Sequence, residues 1–222
     1  MPVEATQSQG RPARRKRIGV LGGTFDPIHY GHLFSTEVAA AGACLDQVLL
    51  VPASQSPLKP GAAAAAHHRV AMARLAAAGN PLLWVDTIDV DRPPPSYTVD
   101  TVSLLQERYP DADLFLILGA DALQDFMEWR EPERLLDLCR LIVVARPGYR
   151  LEVPAPVVAA LGPRVQRIQL QPMPLLEISS TDLRRRFGAG EPVRYLLPDA
   201  VEEYVRAHGL YGAAPRRPGA CR

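Results

Sequence analysis

Ile18-Gly19-Val20-Leu21-Gly22-Gly23-Thr24-Phe25-Asp26-Pro27-Ile28-His29-Tyr30-Gly31-His32 is the stretch from which the rest of the chain can be read. Its first five residues form a short apolar run ending in glycine, the pattern of a strand buried on both faces. The glycine pair lets the backbone turn sharply and approach a ligand closely. Gly31 and His32 then open a helix, predicted over 31–43 and closed near Gly42. A strand, a glycine turn and a helix N-terminus in succession make half of a βαβ unit. Free N–H groups at such a helix start favour an anion. His29 and His32 are three residues apart, so both can face one side of that turn. Neither GxGxxG nor GxxxxGK occurs in the chain, so the turn is not one of the usual dinucleotide or P-loop fingerprints. Without a ligand the same residues read as a tight turn with incidental histidines. A metal reading of His-x-x-His lacks further ligands, so no metal site is expected.

Working outward, the pattern repeats. Strands are predicted at 47–52, 82–90, 114–119 and 141–146, with a sixth at 165–170. Helices are predicted at 67–78, 98–108, 122–127, 132–138, 180–187 and 199–208, with Thr98 as a cap and Pro93-Pro94-Pro95 ending the third strand. Near-continuous apolar strands alternating with helices give an α/β fold: a doubly wound parallel sheet with helices on both faces and a small C-terminal helical segment. Ligands of such sheets sit beyond the carboxyl ends of the strands, where strand order reverses. Trp84 lies within an apolar strand and reads as core.

The 222 residues, 47% hydrophobic and 22% charged, exclude global disorder and allow a core without disulfide or metal staples. No apolar run is long enough for a membrane span, and the start lacks the apolar segment of a secretory signal. Three separated cysteines give neither a disulfide framework nor a zinc site, so a reducing cytoplasm is the expected compartment. The net charge of +1 hides an asymmetry: residues 1–17 carry +4, residues 212–222 carry +3, and residues 18–211 carry −6. The expected organisation is one domain, 18–211, between disordered basic tails at 1–17 and 212–222. A nucleic-acid binder usually has a basic body, so nucleic acid is not an expected partner. Oligomeric state is not legible. Lys59 is the only lysine of the body in a chain that otherwise uses arginine. It reads as a solvated loop residue or as a phosphate contact.

A second constellation stands near the C-terminus: Ile178-Ser179-Ser180-Thr181-Asp182-Leu183-Arg184. Ser179 and Asp182 have the spacing of a capping box. Three hydroxyls at a helix start with an arginine one turn on also make a phosphate cradle, and the two readings are compatible.

The first stretch together with ISSTDLR resembles the HxGH nucleotidyltransferase superfamily. PSYTVDT (95–101), LGAD (118–121), Trp129 and ARPG (145–148) extend the likeness over about 18–211 to the bacterial nicotinate mononucleotide adenylyltransferases. That resemblance implies a Rossmann-like sheet and a step of NAD biosynthesis: AMP passes from ATP to nicotinate mononucleotide, giving nicotinate adenine dinucleotide and pyrophosphate. It implies that His29, His32 and Arg184 are catalytic, with His29 and His32 contacting ATP phosphates. Ser179, Ser180 and Thr181 would hold the outer phosphates together with Arg184, and Lys59 would meet phosphate. Gly22, Gly23 and Phe25 would lie against the nucleotide, and Gly119 and Asp121 would meet the adenosine ribose. Asp121 otherwise reads as a helix N-cap. Trp129 would stack on the pyridine, and Thr98 with the Arg130 backbone N–H would take the nicotinate carboxylate. Generic burial instead makes Trp129 a core residue. Mg2+ would be bound through the ATP phosphates. The family commonly carries a Pro-Pro-His-Lys-like loop where this chain has Ser56-Pro57-Leu58-Lys59. Alternatives are a same-fold transferase using nicotinamide mononucleotide or another phosphate acceptor, and a non-catalytic nucleotide-binding regulator.

Overall fold

Six strands, all parallel, make one sheet in the computed structural model, which describes residues 14–55 and 62–215. In chain order the elements are β1 (Lys16–Gly23), α1 (Tyr30–Ala43), β2 (Gln47–Pro52), α2 (Ala66–Ala77), β3 (Leu83–Val85) and α3 (Thr98–Arg108). There follow β4 (Ala112–Gly119), α4 (Ala120–Gln124), α5 (Pro132–Leu138), β5 (Arg140–Val144), α6 (Ala155–Leu161), β6 (Ile168–Gln171), α7 (Ser180–Ala189) and α8 (Asp199–Ala207). Spatial order is β3-β2-β1-β4-β5-β6, so the direction of winding reverses between β1 and β4.

Strand alternation sends side chains to two cores. Val48, Leu50, Phe115, Ile117, Ile142 and Val144 pack with α1, α2, α7 and α8. Ile18, Val20, Leu49, Leu114, Leu116, Leu141 and Val143 pack against α3, α4, α5 and α6. Both faces are covered, which is why these strands are apolar at nearly every position. Leu183 and Phe187 of α7 and Val201 and Val205 of α8 join the first core, so the C-terminal helices are part of the domain wall. Among the described residues no helix is long and apolar enough to cross a membrane.

Several boundaries differ from expectation. β1 begins at Lys16, not Ile18: Lys16 and Arg17 pair with Ala112 and Asp113 of β4, and Arg14 reaches Asp46 at 2.6 Å. The end of the supposed N-terminal tail is therefore part of the sheet. Likewise Ala213 is buried and the Ala214 carbonyl accepts from Arg206 at 3.2 Å, so ordered packing runs past 211. Residues 1–13 and 216–222, the remainder of the two tails, lie outside the described residues. β3 has three residues rather than nine, because Asp86 and Thr87 turn the chain by accepting from the Ile88, Val90 and Asp91 amides. As an edge strand bonded to β2 alone, β3 leaves Trp84 59% exposed; the core reading of that residue was wrong. Gly42 does not close α1. Cys44 takes the left-handed conformation at its C-cap (φ 47°), while Gly42 is where the Gln171 side chain lies against the helix. The proline-flanked α6 carried too short a pattern to be predicted.

Candidate functional site

At the carboxyl edge of the sheet, β1 delivers Gly22 and Gly23 to the loop that leads into α1. A Cβ on Gly23 would lie 3.0 Å from the Phe25 ring, whereas one on Gly22 would meet open space. Phe25 itself is buried with φ 51°, and its ring meets that of His32 edge-on at 5.2 Å. His29 is the N-cap of α1 in extended backbone, and the first helical turn has no acidic residue to offset its dipole. The His29 and His32 rings stack at 3.7 Å and 30°. The His29 backbone N–H donates to His32 Nδ1 at 3.3 Å; with Nδ1 accepting, a neutral His32 carries its proton on Nε2.

His29 is only 2% exposed, and its Nδ1 is buried without a hydrogen-bond partner among the described residues. Burial, and then the nearby Arg146 guanidinium, bring its pKa down from 6.5 to about 3. The ring is therefore neutral near pH 7.

The start of α7 docks on the same loop. Ser179 caps the helix, accepting from the Asp182 N–H at 3.1 Å; the other half of the expected capping box does not form, because the Asp182 carboxylate is taken by Arg185 and Arg186. Ser180 Oγ donates to the Pro27 carbonyl at 2.9 Å. Arg184 Nη1 donates to the Asp26 carbonyl at 2.8 Å, and Nη2 lies 3.4 Å from Thr181 Oγ1. Thr181 is exposed. Two helix N-termini, one bearing stacked imidazoles and the other three hydroxyls, are thus fastened to the loop 24–28. Both helices start beside the loop that leaves the carboxyl end of β1, where strand order reverses, so their positive dipole ends lie there.

Two buried charges that sequence reasoning missed hold this loop. Asp26 accepts from the Ala63 and Ala64 amides at 2.7 and 3.2 Å and from Tyr211 Oη at 2.6 Å. Arg69, 1% exposed, donates to the carbonyls of Thr24 (2.8 Å), Ala53 (2.7 Å), Ser54 (3.0 Å) and Ala64 (3.2 Å). A lone arginine on the apolar face of α2 was the available signal. Arg146, in the ARPG stretch just past β5, is a further charge of the site that sequence reasoning missed. Its Nε lies 3.5 Å from Asp121 Oδ1.

Asp121 is the second residue of α4, not its N-cap; Gly119 holds that position. A Cβ on Gly119 would collide with both the Asp121 carboxylate and the Arg146 chain, so both side chains would have to shift to admit one. Thr98 is likewise not a cap. Tyr97 is the N-cap of α3 and Thr98 its first helical residue. The Thr98 hydroxyl makes no hydrogen bond among the described residues. Trp129 is half-buried: its ring lies 5.6 Å from that of Phe126 and its Nε1 is buried without a partner there. Arg130 ties this loop to α3, with Nη1 3.5 Å from Asp100 Oδ2 and the guanidinium 4.8 Å over the Tyr97 ring. The expected residues therefore fall into a phosphate-facing group on α1 and α7, a pair at the end of β4, and a third group on α3 and the loop before α5. Lys59 and Leu58 lie outside the described residues.

A doubly wound sheet whose switch point is faced by paired helix N-termini, histidines and an arginine defines the class of proteins that handle nucleotide phosphates. A sequence model of the cytidylyltransferase-like family matches residues 20–186. A "probable nicotinate-nucleotide adenylyltransferase" of Roseiflexus sp. (strain RS-1) is 52% identical over 196 residues, spanning 87% of this chain and 97% of the relative. A protein of the same name from Thermus thermophilus is 46% identical, spanning 88% of this chain and 99% of the relative. Among solved structures, the Plasmodium falciparum nicotinic acid mononucleotide adenylyltransferase complexed with NaAD superposes with a TM-score of 0.74 at 19% identity, covering 90% of this chain and 98% of that one; this likeness bears on the fold alone. The chain belongs to the cytidylyltransferase-like family and, within it, to the family of nicotinate-nucleotide adenylyltransferases.

Proposed function

We propose that this protein transfers the adenylyl group of ATP to nicotinate mononucleotide, releasing pyrophosphate and forming nicotinate adenine dinucleotide. The observation that carries the reading is the pairing of the α1 and α7 N-termini through Ser180 to Pro27 and Arg184 to Asp26, with a half-buried His32 stacked on the buried His29 at the start of α1. The names of the close relatives support it.

The chemistry suits these groups. A phosphate monoester is largely dianionic at neutral pH and needs no general base. One of its oxygens attacks the α-phosphorus of ATP. The bond from that phosphorus to the oxygen bridging the β-phosphorus breaks, and pyrophosphate departs with the electron pair. The protein must align two anions and stabilise the charge growing on the α-phosphate and leaving group. His32 Nε2–H, the positive end of the α1 dipole and Arg184 serve that charge; Ser180 and Thr181 line the outer phosphates. His29, buried and neutral, backs His32 without adding a full charge. At the other end Trp129 and Thr98 take the pyridine and its carboxylate.

Magnesium prefers oxygen ligands and keeps several waters. Asp26, the carboxylate of the loop before α1, has both oxygens engaged by Ala63, Ala64 and Tyr211. That carboxylate is not open to a metal, and, as the family resemblance implies, a magnesium ion would be held by the ATP phosphates and water, neutralising phosphate charge beside His32 and Arg184.

The test is pyrophosphate release from ATP with nicotinate mononucleotide or nicotinamide mononucleotide as acceptor. Release with the acid well above that with the amide is expected. Equal rates would refute the acid preference, and release with neither would refute the transferase reading.

A further inference from the structure

Between β3 and α3 the chain buries a carboxylate that the proposed reaction does not use. Asp89 is 6% exposed. Its Oδ1 accepts from Arg92 Nη2 at 2.7 Å, from Arg92 Nε at 3.2 Å and from the Thr101 hydroxyl at 2.6 Å. Arg92 Nη2 closes the triangle on Thr101 Oγ1 at 2.7 Å. All of this converges on one carbonyl, that of Tyr97. Arg92 Nη2 lies 3.4 Å from it and Thr101 Oγ1 3.1 Å. The Asp100 and Thr101 amides each reach it at 3.1 Å.

The Tyr97 carbonyl belongs to the same rigid peptide plane as the Thr98 N–H. The two amides donate to that oxygen, and the Thr101 hydroxyl, with one proton shared between Asp89 and Tyr97, packs the triangle against it; this fixes the plane and with it the Thr98 Cα. Thr98 also lies three residues before Thr101, on the same helix face. Helix packing does not require charge here. Val99, Val102 and Leu105 already bury the apolar face of α3, and a buried ion pair adds little stability over an apolar substitute of the same shape. What the triangle adds is direction at the Tyr97–Thr98 peptide.

We propose that Asp89, Arg92 and Thr101 are positioning residues for recognition of the acid substrate, aiming the Thr98 hydroxyl at the nicotinate carboxylate. The inference rests on the transferase reading above. Ser96 extends the same support to the neighbouring loop: its N–H donates to Gln55 O at 3.0 Å and its Oγ accepts from the Ser54 amide at 3.1 Å.

The test is steady-state kinetics of Thr101→Val, Thr101→Ser and Asp89→Asn beside the wild type, with melting temperatures. Thr101→Val keeps the shape but leaves Arg92 and Asp89 without their shared hydroxyl. Its KM for nicotinate mononucleotide should rise about tenfold. Its KM for ATP and its kcat should stay within about twofold, and turnover of nicotinamide mononucleotide should change little. Thr101→Ser restores the hydroxyl and should return the acid KM to near wild type, even if it melts lower. Asp89→Asn should move the acid KM in the same direction as Thr101→Val. Unchanged acid KM in Thr101→Val and Asp89→Asn, equal rises for acid and ATP, or no recovery in Thr101→Ser would overturn the proposal. Should Thr101→Val fail to fold, Asp89→Asn and Thr101→Ser decide by the same comparison. A wild type that releases no pyrophosphate from ATP and nicotinate mononucleotide defeats the underlying reading and takes this inference with it; an active wild type with unaffected variants defeats this inference alone.

Discussion

At the scale of single residues, the two histidines divide the work by environment. His32 is half-buried, and its Nδ1 accepts from the His29 backbone N–H, which puts the proton of a neutral ring on Nε2. His32→Ala should lower kcat by about 100-fold or more, the usual cost of one donor to developing phosphate or oxyanion charge, and should change the melting temperature little. A large melting shift with a near-normal rate would make His32 a packing residue. His29 has a different signature. Unfolded, its imidazole takes up a proton below its ordinary 6.5; folded, it stays neutral down to about 3. The unfolded state therefore binds more protons through that window, and stability falls as pH drops from 6.5 and levels off near 3. By about pH 5 the loss should be about 2 kcal/mol. Denaturant melts of wild type and His29→Asn across this range should show a flatter profile for the variant. His68, whose pKa is lowered by burial and by His67 and His208, leaves a residual slope. Equal slopes in both proteins would show that His29 is not held neutral by the fold.

At the scale of elements, α7 is judged by what its first turns touch. Ser179 is occupied as a cap, and Ser180 and Arg184 are used to fasten the helix to the loop before α1. Arg184 spends one nitrogen on the Asp26 carbonyl and keeps the rest of its fork beside Thr181. A lysine can replace one of these functions but not both, because a point charge has no planar fork. Arg184→Lys should lower kcat/KM for ATP by about tenfold or more while leaving the mononucleotide KM near wild type. Unaltered ATP kinetics would reduce Arg184 to a helix anchor.

At the scale of the whole molecule, the site depends on loops that would have no fixed shape alone. Arg69 gathers carbonyls from the loops after β1 and β2 and from the start of α2. Arg69→Met fills similar volume but leaves those carbonyls unpaired, and should cost about 3 kcal/mol or more in chemical denaturation. A loss under about 1 kcal/mol would mean that water replaces the guanidinium freely. Much of this architecture was legible beforehand. β2, α3 and α5 match their predicted bounds because apolar periodicity and proline or polar stops coincide at their ends. The His29-x-x-His32 and Ser179–Arg184 groups were legible because each sits directly at a helix start. Trp84 and the length of β3 were misread because periodicity cannot tell an edge strand from a central one. Asp121 and Thr98 were misread as caps because a cap depends on where the helix begins, to within one residue. Asp26 and Arg69 went unnoticed because all their partners but Tyr211, distant in sequence, are backbone carbonyls and amides, and the lone arginine on the apolar face of α2 was the one mark they left. The bond that breaks is tested most directly by ATP labelled at the α-phosphorus, incubated with nicotinate mononucleotide and separated by chromatography. The account predicts that the label enters a dinucleotide in step with pyrophosphate release. Label recovered in ADP or free AMP, with none in a dinucleotide, would contradict it.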